Sequence, residues 1–175
     1  ICMFGKALGN GYAITAVIGK RNVMEAAQNT FISSTFWTER IGPTAGLASL
    51  KEMKKINSWS FITKQGKYLK KRWSKMASDE GVDISITGMD ALATFTINCD
   101  EWLKYKTFIT ETMLKNNYLA ANIVYLSIKH NEDVINKYID FMYPIFKKIN
   151  EFEKGYDSVD NYVNNVCHGG FKRLN

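Results

Sequence analysis

The chain lacks the compositional features that mark disordered, disulfide-rich and zinc-binding proteins. Only two of its 175 residues are proline and 13% are aromatic, so its composition is not that of a disordered segment. Its three cysteines, Cys2, Cys99 and Cys167, are odd in number and lack CxxC spacing, which signals neither a disulfide framework nor a zinc site. We therefore expect a reducing, cytoplasmic setting.

Long apolar runs and repeats are also missing. The sequence has no secretory signal, no run of about 18 or more apolar residues that could span a membrane, no internal repeat and no low-complexity segment. Because the chain begins with Ile1 inside a predicted strand, we expect it to be the C-terminal part, under half, of a longer protein. Strand edges exposed by the missing part would then favour self-association.

Acidic residues are fewer than basic ones, which leaves a formal charge of +6. The densest basic region lies on a predicted helix over 59–79, whose apolar residues Ile62, Leu69, Trp73 and Met76 recur at helical spacing. Most of the lysines fall on the opposite side, a pattern that favours a solvated face, since basic patches that bind nucleic acid usually bring aromatic or motif support. We therefore predict no nucleic-acid partner and no membrane partner.

What the sequence does contain is a regular alternation of helix and strand signals. Hydrophobic residues make up 46% of the chain, which is enough to bury a core. The predicted elements are a strand–turn–strand over 1–19, a short helix over 20–27, a polar loop over 30–38, a helix from Pro43 to about 56, helices over 59–79, 101–116 and 132–152, and strands over 82–87, 91–98 and 119–128. From residue 58 onward this pattern predicts a small α/β layer domain.

Three local patterns give the expected domain boundary, the buried face of one strand and the buried stripe of the long helix. Asn57-Ser58 is a plausible cap and the expected hinge, which divides the chain into 1–57 and 58–175. Alternation in the strand over 91–98 places Ala93, Phe95 and Ile97 on its buried face. In the long helix the buried stripe comprises Ile135, Ile139, Met142, Phe146 and Ile149, and Pro144 is expected to kink it.

Lys6 stands between the end of an apolar run and a glycine-rich turn. A lysine held there by inflexible backbone can be buried, have its pKa lowered and attack a carbonyl as a neutral amine. A phosphate-binding P-loop is excluded, because its lysine follows the last glycine and precedes Ser or Thr, whereas Lys6 precedes Gly9 and is followed by Ala7. Asn10-Gly11 is a strong tight-turn dipeptide, so the plain interpretation of the spacing alone is a hairpin whose tip carries a lysine by chance.

The run over residues 4–12, Phe-Gly-Lys-Ala-Leu-Gly-Asn-Gly-Tyr, followed by Ala-Val-Ile-Gly over 16–19, resembles the cofactor-lysine segment of the class III aminotransferases. These enzymes depend on pyridoxal 5'-phosphate (PLP), and the run is most similar to their branch containing glutamate-1-semialdehyde 2,1-aminomutase. A second run over 31–43, Phe-Ile-Ser-Ser-Thr-Phe-Trp-Thr-Glu-Arg-Ile-Gly-Pro, lies where the family places its phosphate-contacting threonine. The resemblance implies an α/β fold of fold type I, with 1–57 as the end of the large PLP-binding domain and 58–175 as the small C-terminal domain.

The resemblance also implies roles for individual residues. Lys6 would form a Schiff base with PLP, be displaced by the amine of a small amino-carbonyl substrate, and then shuttle a proton between substrate and cofactor. Thr35, or Ser34 if the register is off by one, would donate its hydroxyl to the cofactor phosphate. In the family that threonine reaches the neighbouring subunit's site, so we expect a homodimer with active sites at the interface. Thr35 could instead be a loop threonine that satisfies its own backbone.

The sequence departs from the aminomutase pattern after Thr35, where the true aminomutases continue with a short Ser-Gly-Asn-Pro turn. This departure favours an aminotransferase relative with another substrate. Glu39 and Arg40 are candidate substrate-recognition charges, Arg40 through a bidentate pair with a carboxylate. Alternatively, the two residues pair with each other on the surface.

The tail over 155–175 is polar and rich in Asn, so its composition predicts a mobile terminus. Relatives in this branch often finish with a similar His-Gly-Phe-Lys-Arg cluster. The resemblance therefore offers His168, Phe171 and Arg173 as residues that fold back towards the substrate mouth. His130 is expected to be a cap-region residue without a catalytic role.

A second hypothesis is a non-catalytic module, in which the C-terminal α/β domain is a binding or dimerisation unit and Lys6 is inert. Cofactor chemistry at Lys6 separates the two hypotheses. Under the enzymatic one, we expect the chain to be inactive alone, because the family's aspartate at the pyridine nitrogen and its ring-stacking aromatic would lie outside it.

Overall fold

The computed structural model describes residues 1–170 of the chain. The chain divides into two compact units, Ile1–Ser58 and a second unit that begins at Trp59. The division lies one residue beyond the boundary expected from the sequence. Asn57, which follows the last helix of the first unit, has a left-handed backbone with φ of 49°. Asn tolerates this conformation better than most residues, which suits it to a helix end.

The first unit begins with two short antiparallel strands, β1 (Cys2–Phe4) and β2 (Ala16–Ile18), with Met3 opposite Val17. The sequence predicted this pairing, but not its connection. The strands are joined by the whole of residues 5–15, including a 3-10 helix over Lys6–Leu8, and not by a two-residue turn at Asn10-Gly11.

After β2 come a short helix α1 (Arg21–Met24), a 3-10 helix (Glu25–Asn29), a polar loop and helix α2 (Ile41–Lys55). Helix α2 begins two residues before Pro43. Proline fits there because N–H groups in the first turn have no partner within the helix.

The second unit contains the layer domain that the sequence predicted. Its helices are α3 (Ser58–Glu80), α4 (Trp102–Lys115) and α5 (Glu132–Glu153), and its strands are β3 (Ile84–Thr87), β4 (Leu92–Ile97) and β5 (Ile123–Tyr125). The strands form one antiparallel sheet in the order β3-β4-β5. Ile84 lies opposite Ile97, and Ala93 lies opposite Val124.

The core of the second unit follows the predicted periodicities. Along β4 every second residue is buried, namely Ala93, Phe95 and Ile97. The rings of Phe95 and Trp73 lie edge to face with centroids 4.9 Å apart, a favoured aromatic geometry. The predicted stripes of α3 and α5 are confirmed except at Ile62, which is only partly buried; the buried members are Leu69, Trp73, Met76, Ile135, Ile139, Met142, Phe146 and Ile149.

Helix α5 has a well-formed N-terminus. The side-chain oxygen of Asn131 accepts a hydrogen bond from the Val134 N–H at 2.9 Å, which satisfies one of the free donors of the first turn. His130 lies just before this cap, and its Nδ1 accepts the Ser127 N–H at 2.9 Å. The helix continues through Pro144 to its end at Glu153.

The composition of the segment after α5 predicted a mobile terminus. The described part of this segment is instead folded and packed against the second unit. It forms a 3-10 helix over Val159–Asn161, and both Val159 and Val163 are buried. Further on, the Cys167 N–H donates to the Thr107 hydroxyl on α4 at 2.9 Å. His168 is exposed. Phe171 and Arg173, which the resemblance offered as substrate-facing residues, lie outside the described residues.

Two features of the described residues bear on partners. No helix within residues 1–170 is long and apolar enough to cross a membrane. In the same range, no cluster of His, Cys, Asp and Glu side chains could hold a metal ion.

Several lysines of the basic helix α3 form ion pairs with acidic side chains: Lys64 with Glu132, Lys70 with Asp90 and Lys75 with Asp79.

Candidate active site

Lys6 lies in the 3-10 helix that directly follows β1, and its backbone is unusual. Its φ of 47° is in the left-handed region, which few residues other than glycine adopt. Turn hydrogen bonds close the segment: the Leu8 N–H donates to the Gly5 carbonyl at 3.0 Å, and the Asn10 N–H donates to the Lys6 carbonyl at 3.1 Å. The lysine is therefore presented by a backbone that hydrogen bonds fix on both sides.

Glycines allow this turn and helix α2 to approach each other. Gly9 is buried, and a Cβ atom there would lie 2.0 Å from the Tyr12 carbonyl oxygen. On α2, a Cβ atom at Gly42 would lie 2.8 Å from the Ala13 carbonyl oxygen. A side chain at either position would therefore require a shift of the neighbouring backbone, so the observed packing of residues 5–15 depends on glycine at both.

The Lys6 side chain is exposed. The idea from the sequence that this lysine is buried is therefore wrong for this structure. Among the described residues its ammonium has neither a hydrogen-bond partner nor an acidic partner. Nothing in the described part of the chain competes with a carbonyl compound for this amine.

Lys6 opens onto a cleft of about 620 Å³ within the first unit. The cleft combines polar side chains with a larger apolar and aromatic surface. Its polar lining comprises Lys6, Thr15, Ser34 and Glu39, and the rest comprises Tyr12, Ala13, Ile14, Phe36, Trp37 and Pro43. Three of the residues singled out in the sequence, Lys6, Ser34 and Glu39, thus line one cavity, while Thr35 and Arg40 are not among the lining residues.

The hydroxyls of the loop before α2 differ in their local bonding. The Ser34 Oγ accepts a hydrogen bond from the Phe36 N–H at 3.2 Å, which closes a local turn. Thr35 is exposed and begins the turn over 35–38. The backbone-satisfying role considered for Thr35 is thus played by its neighbour Ser34.

Glu39 binds the N-terminus of α2. Its carboxylate accepts hydrogen bonds from the Ile41 N–H and, at 3.2 Å, from the Gly42 N–H. A carboxylate is favoured here because the first N–H groups of a helix lack partners and carry partial positive charge. The predicted surface pair with Arg40 is not formed, and Arg40 instead lines a neighbouring hollow of about 360 Å³ that shares Tyr12 with the Lys6 cleft.

Reasoning from the sequence missed the aromatic part of the cleft. Tyr12, Phe36 and Trp37 line it, yet none was proposed as a site residue. The available signal was the departure from the aminomutase pattern directly after Thr35, which introduces Phe36 and Trp37 next to a residue already assigned to the site. The acidic residue just before a helix start likewise signalled the role of Glu39.

Comparison with known proteins relates the chain to one group of enzymes. It is 31% identical over 109 residues to a 3-aminobutyryl-CoA aminotransferase of Cloacimonas acidaminovorans, a match that covers 62% of this chain and 26% of that protein. It is 24% identical over 162 residues to a glutamate-1-semialdehyde 2,1-aminomutase of Thermodesulfovibrio yellowstonii, covering 83% of this chain and 38% of the relative. The corresponding aminomutase of Nitrosopumilus maritimus is 26% identical over 168 residues, covering 85% and 40%. The chain thus spans well under half the length of these relatives.

The fold agrees with these matches. The structure superimposes on the PLP internal aldimine form of the Sphingopyxis sp. MTA144 FumI protein with a TM-score of 0.76 at 18% identity, over 87% of this chain and 37% of that one. No protein-family model matches the chain. Sequence and fold therefore point the same way: the chain is similar in sequence to an aminotransferase and to aminomutases over part of their length, and similar in fold to a PLP-bound protein.

Proposed function

We propose that the chain is part of a PLP-dependent aminotransferase or aminomutase in which Lys6 binds the cofactor. One observation supports this most directly: an exposed, unpartnered lysine on a hydrogen-bonded glycine turn opens onto a cleft of about 620 Å³. The run around it, residues 4–12, resembles the cofactor-lysine segment of the class III aminotransferases. Residues 1–57 would then belong to the large domain and 58–175 to the small domain.

The residues of this cleft suit PLP. When bound, PLP supplies an aldehyde that condenses with an amine and a ring that accepts electrons. The Lys6 Nζ is the amine available to that aldehyde. Ser34 accepts the Phe36 N–H through its oxygen, so its hydroxyl proton is still free to be donated to a phosphate. Thr35, exposed in the same turn, offers a second hydroxyl. We propose that one of the two binds the cofactor phosphate and that the protein is a homodimer with its active sites at the interface.

Lys6 would have a second task during turnover. Its Nζ would take a proton from the substrate α-carbon and return it at the adjacent position. The hydrogen bonds that close the turn around Lys6 would help to keep the Nζ in position for this transfer. We propose a small amino-carbonyl compound as substrate, amine transfer as the reaction, and the cytoplasm as the location, since all three cysteines are free.

Trapping of the cofactor tests this proposal. The chain is incubated with PLP and reduced with borohydride, and mass spectrometry then identifies which of its lysines carries the cofactor. We expect selective labelling of Lys6, loss of that label in Lys6→Arg, and no loss in the control Lys20→Arg, which alters another exposed lysine of the same unit. Labelling spread over many lysines, in this chain and in a longer protein containing it, would contradict the proposal.

The alternative of a non-catalytic binding or dimerisation module predicts a different result. Lys6 would then be labelled no faster than Lys20 in either protein. The enzymatic proposal predicts Lys6 labelling without amine transfer by the chain alone, because the chain spans 26% to 40% of the length of the relatives compared. The labelling pattern and the turnover assay together decide between the two.

A further inference from the structure

We infer, on the basis of the function proposed for Lys6, that Phe36 and Trp37 form an aromatic wall of the cleft. This wall selects substrates with an uncharged apolar or aromatic body over substrates that carry a second carboxylate. Both side chains line the same cleft as Lys6.

The wall is held in place although its side chains are open to solvent. Phe36 is 63% exposed and Trp37 is 68% exposed. Their turn is closed at one end by the Ser34 Oγ, which accepts the Phe36 N–H, and at the other by the Glu39 N–H, which donates to the Phe36 carbonyl at 3.1 Å. The Glu39 carboxylate then ties the turn to the N-terminus of α2. The two rings are therefore presented on a fixed backbone.

Large apolar side chains are exposed at many positions of the first unit, and among them Tyr12, Phe36 and Trp37 are the ones that line the cleft. Ligand sites are typically lined by apolar and aromatic side chains that bury the body of the ligand, with a few polar groups that orient it. In this cleft Phe36, Trp37 and Tyr12 supply the aromatic surface, and Lys6 supplies the reactive group. An aromatic ring in the substrate would gain a stacking or edge-to-face contact with this wall.

The charges around the cleft point to the same class of substrate. Among the described residues that line it, Lys6 is the single cation, and its amine is consumed when it binds a carbonyl group. The single acidic group is Glu39, whose carboxylate would repel a carboxylate in the cleft. Arg40 lines the neighbouring hollow and not the cleft. A second carboxylate therefore finds no cationic partner among the lining residues.

A matched pair of aldehydes tests the wall without PLP. The chain is treated with 4-methylbenzaldehyde or 4-carboxybenzaldehyde and cyanoborohydride. The lysine amine condenses with the aldehyde with loss of water, and the reagent's hydride reduces the C=N bond. Mass spectrometry gives the ratio of methyl to carboxyl product at Lys6, and the same ratio at the exposed Lys20 corrects for the different reactivity of the two aldehydes.

We expect the corrected ratio at Lys6 to exceed that at Lys20 by about threefold or more, because the wall would hold the carboxylate against apolar rings without a cationic partner, whereas it accepts the methyl group. Trp37→Ala and Phe36→Ala should each lower it towards the Lys20 value, and the conservative Trp37→Phe should retain it. Phe31→Ala is the control, because Phe31 is 94% exposed and is not among the lining residues of the cleft.

Equal ratios at Lys6 and Lys20, or a preference that survives Trp37→Ala and Phe36→Ala together, would overturn the inference. The outcome is separable from that of the cofactor experiment. Selective PLP labelling without an aldehyde preference would refute the wall alone. An aldehyde preference without selective PLP labelling, in this chain and in a longer protein containing it, would support the wall and refute the function proposed for Lys6.

Discussion

The Lys148 ammonium on α5 lies 2.6 Å from the Asp157 carboxylate, and this contact ties the segment after α5 to the helix. The same ammonium lies 5.2 Å from the centre of the Tyr162 ring, and the Tyr162 hydroxyl donates to Asp157 at 2.8 Å. Tyr162 also packs against the rings of Phe108 and Phe152. One carboxylate therefore organises a charged and aromatic cluster that holds the chain beyond α5 in place.

This contact predicts how stability depends on pH. Hydrogen bonds from Lys148, and then from Tyr162, hold the pKa of Asp157 well below its usual value of 3.8. A carboxyl with a lowered pKa in the folded state stabilises that state above its usual pKa, and the stabilisation is lost as the pH falls below it. We expect Asp157→Asn to lower the thermal unfolding midpoint at pH 7. The difference from the wild type should begin to shrink below about pH 4, because the unfolded wild-type chain then takes up a proton that the folded Asp157 does not yet bind, and it should shrink further as the pH falls.

Thermal melts followed by circular dichroism at pH 7, 5 and 3 measure this effect. Asp140→Asn is the matched control, because Asp140 is an exposed carboxylate on α5. It should shift the midpoint little at any of these pH values. An Asp157→Asn difference that stays constant down to pH 3 would show that packing, and not charge, holds the segment.

Much of the second unit could be predicted from periodicity. The stripe of α5 and the alternation of β4 are set by positions that must face a core, so the sequence carries them directly. Strand β5 was predicted over 119–128 but covers Ile123–Tyr125, and Leu119 is 95% exposed. An apolar run does not show where backbone pairing begins and ends, because pairing depends on the partner strand.

The candidate site could be predicted only in part. The Lys6 run could be singled out because it resembles the cofactor-lysine segment of a known family, whereas its spacing alone also fits a plain hairpin. The bond of Glu39 to α2 and the aromatic lining from Phe36 and Trp37 depend on how a loop turns in three dimensions, which composition does not carry. The prediction that the tail is mobile was wrong for residues 155–170 for a similar reason. Two buried valines and the Lys148–Asp157 ion pair hold this segment in place despite its polar composition.

A buried hydrogen bond between α3 and α5 gives a prediction for the core. The Trp73 indole N–H donates to the Tyr138 hydroxyl at 3.2 Å, and both residues are buried. Tyr138→Phe removes the acceptor and leaves the indole donor unpaired, which should lower the free energy of unfolding by about 1–3 kcal/mol. Urea unfolding measures this change. Tyr156→Phe, at a residue that is 79% exposed, is the control and should change stability by less than about 0.5 kcal/mol.

Two glycines on the same face of α2 predict opposite effects on the Lys6 segment. A methyl group in Gly42→Ala would lie 2.8 Å from the Ala13 carbonyl oxygen, so the loop or the helix must move. In Gly46→Ala the nearest atoms are Leu8 and Ile14 side chains at 3.7 Å, an ordinary contact, and alanine in a helix gains about 0.5–1 kcal/mol over glycine. We expect Gly42→Ala to lower both the unfolding midpoint and the selective PLP labelling of Lys6, and Gly46→Ala to raise the midpoint and preserve the labelling. Equal labelling in the two variants would mean that the close approach of α2 does not position the lysine.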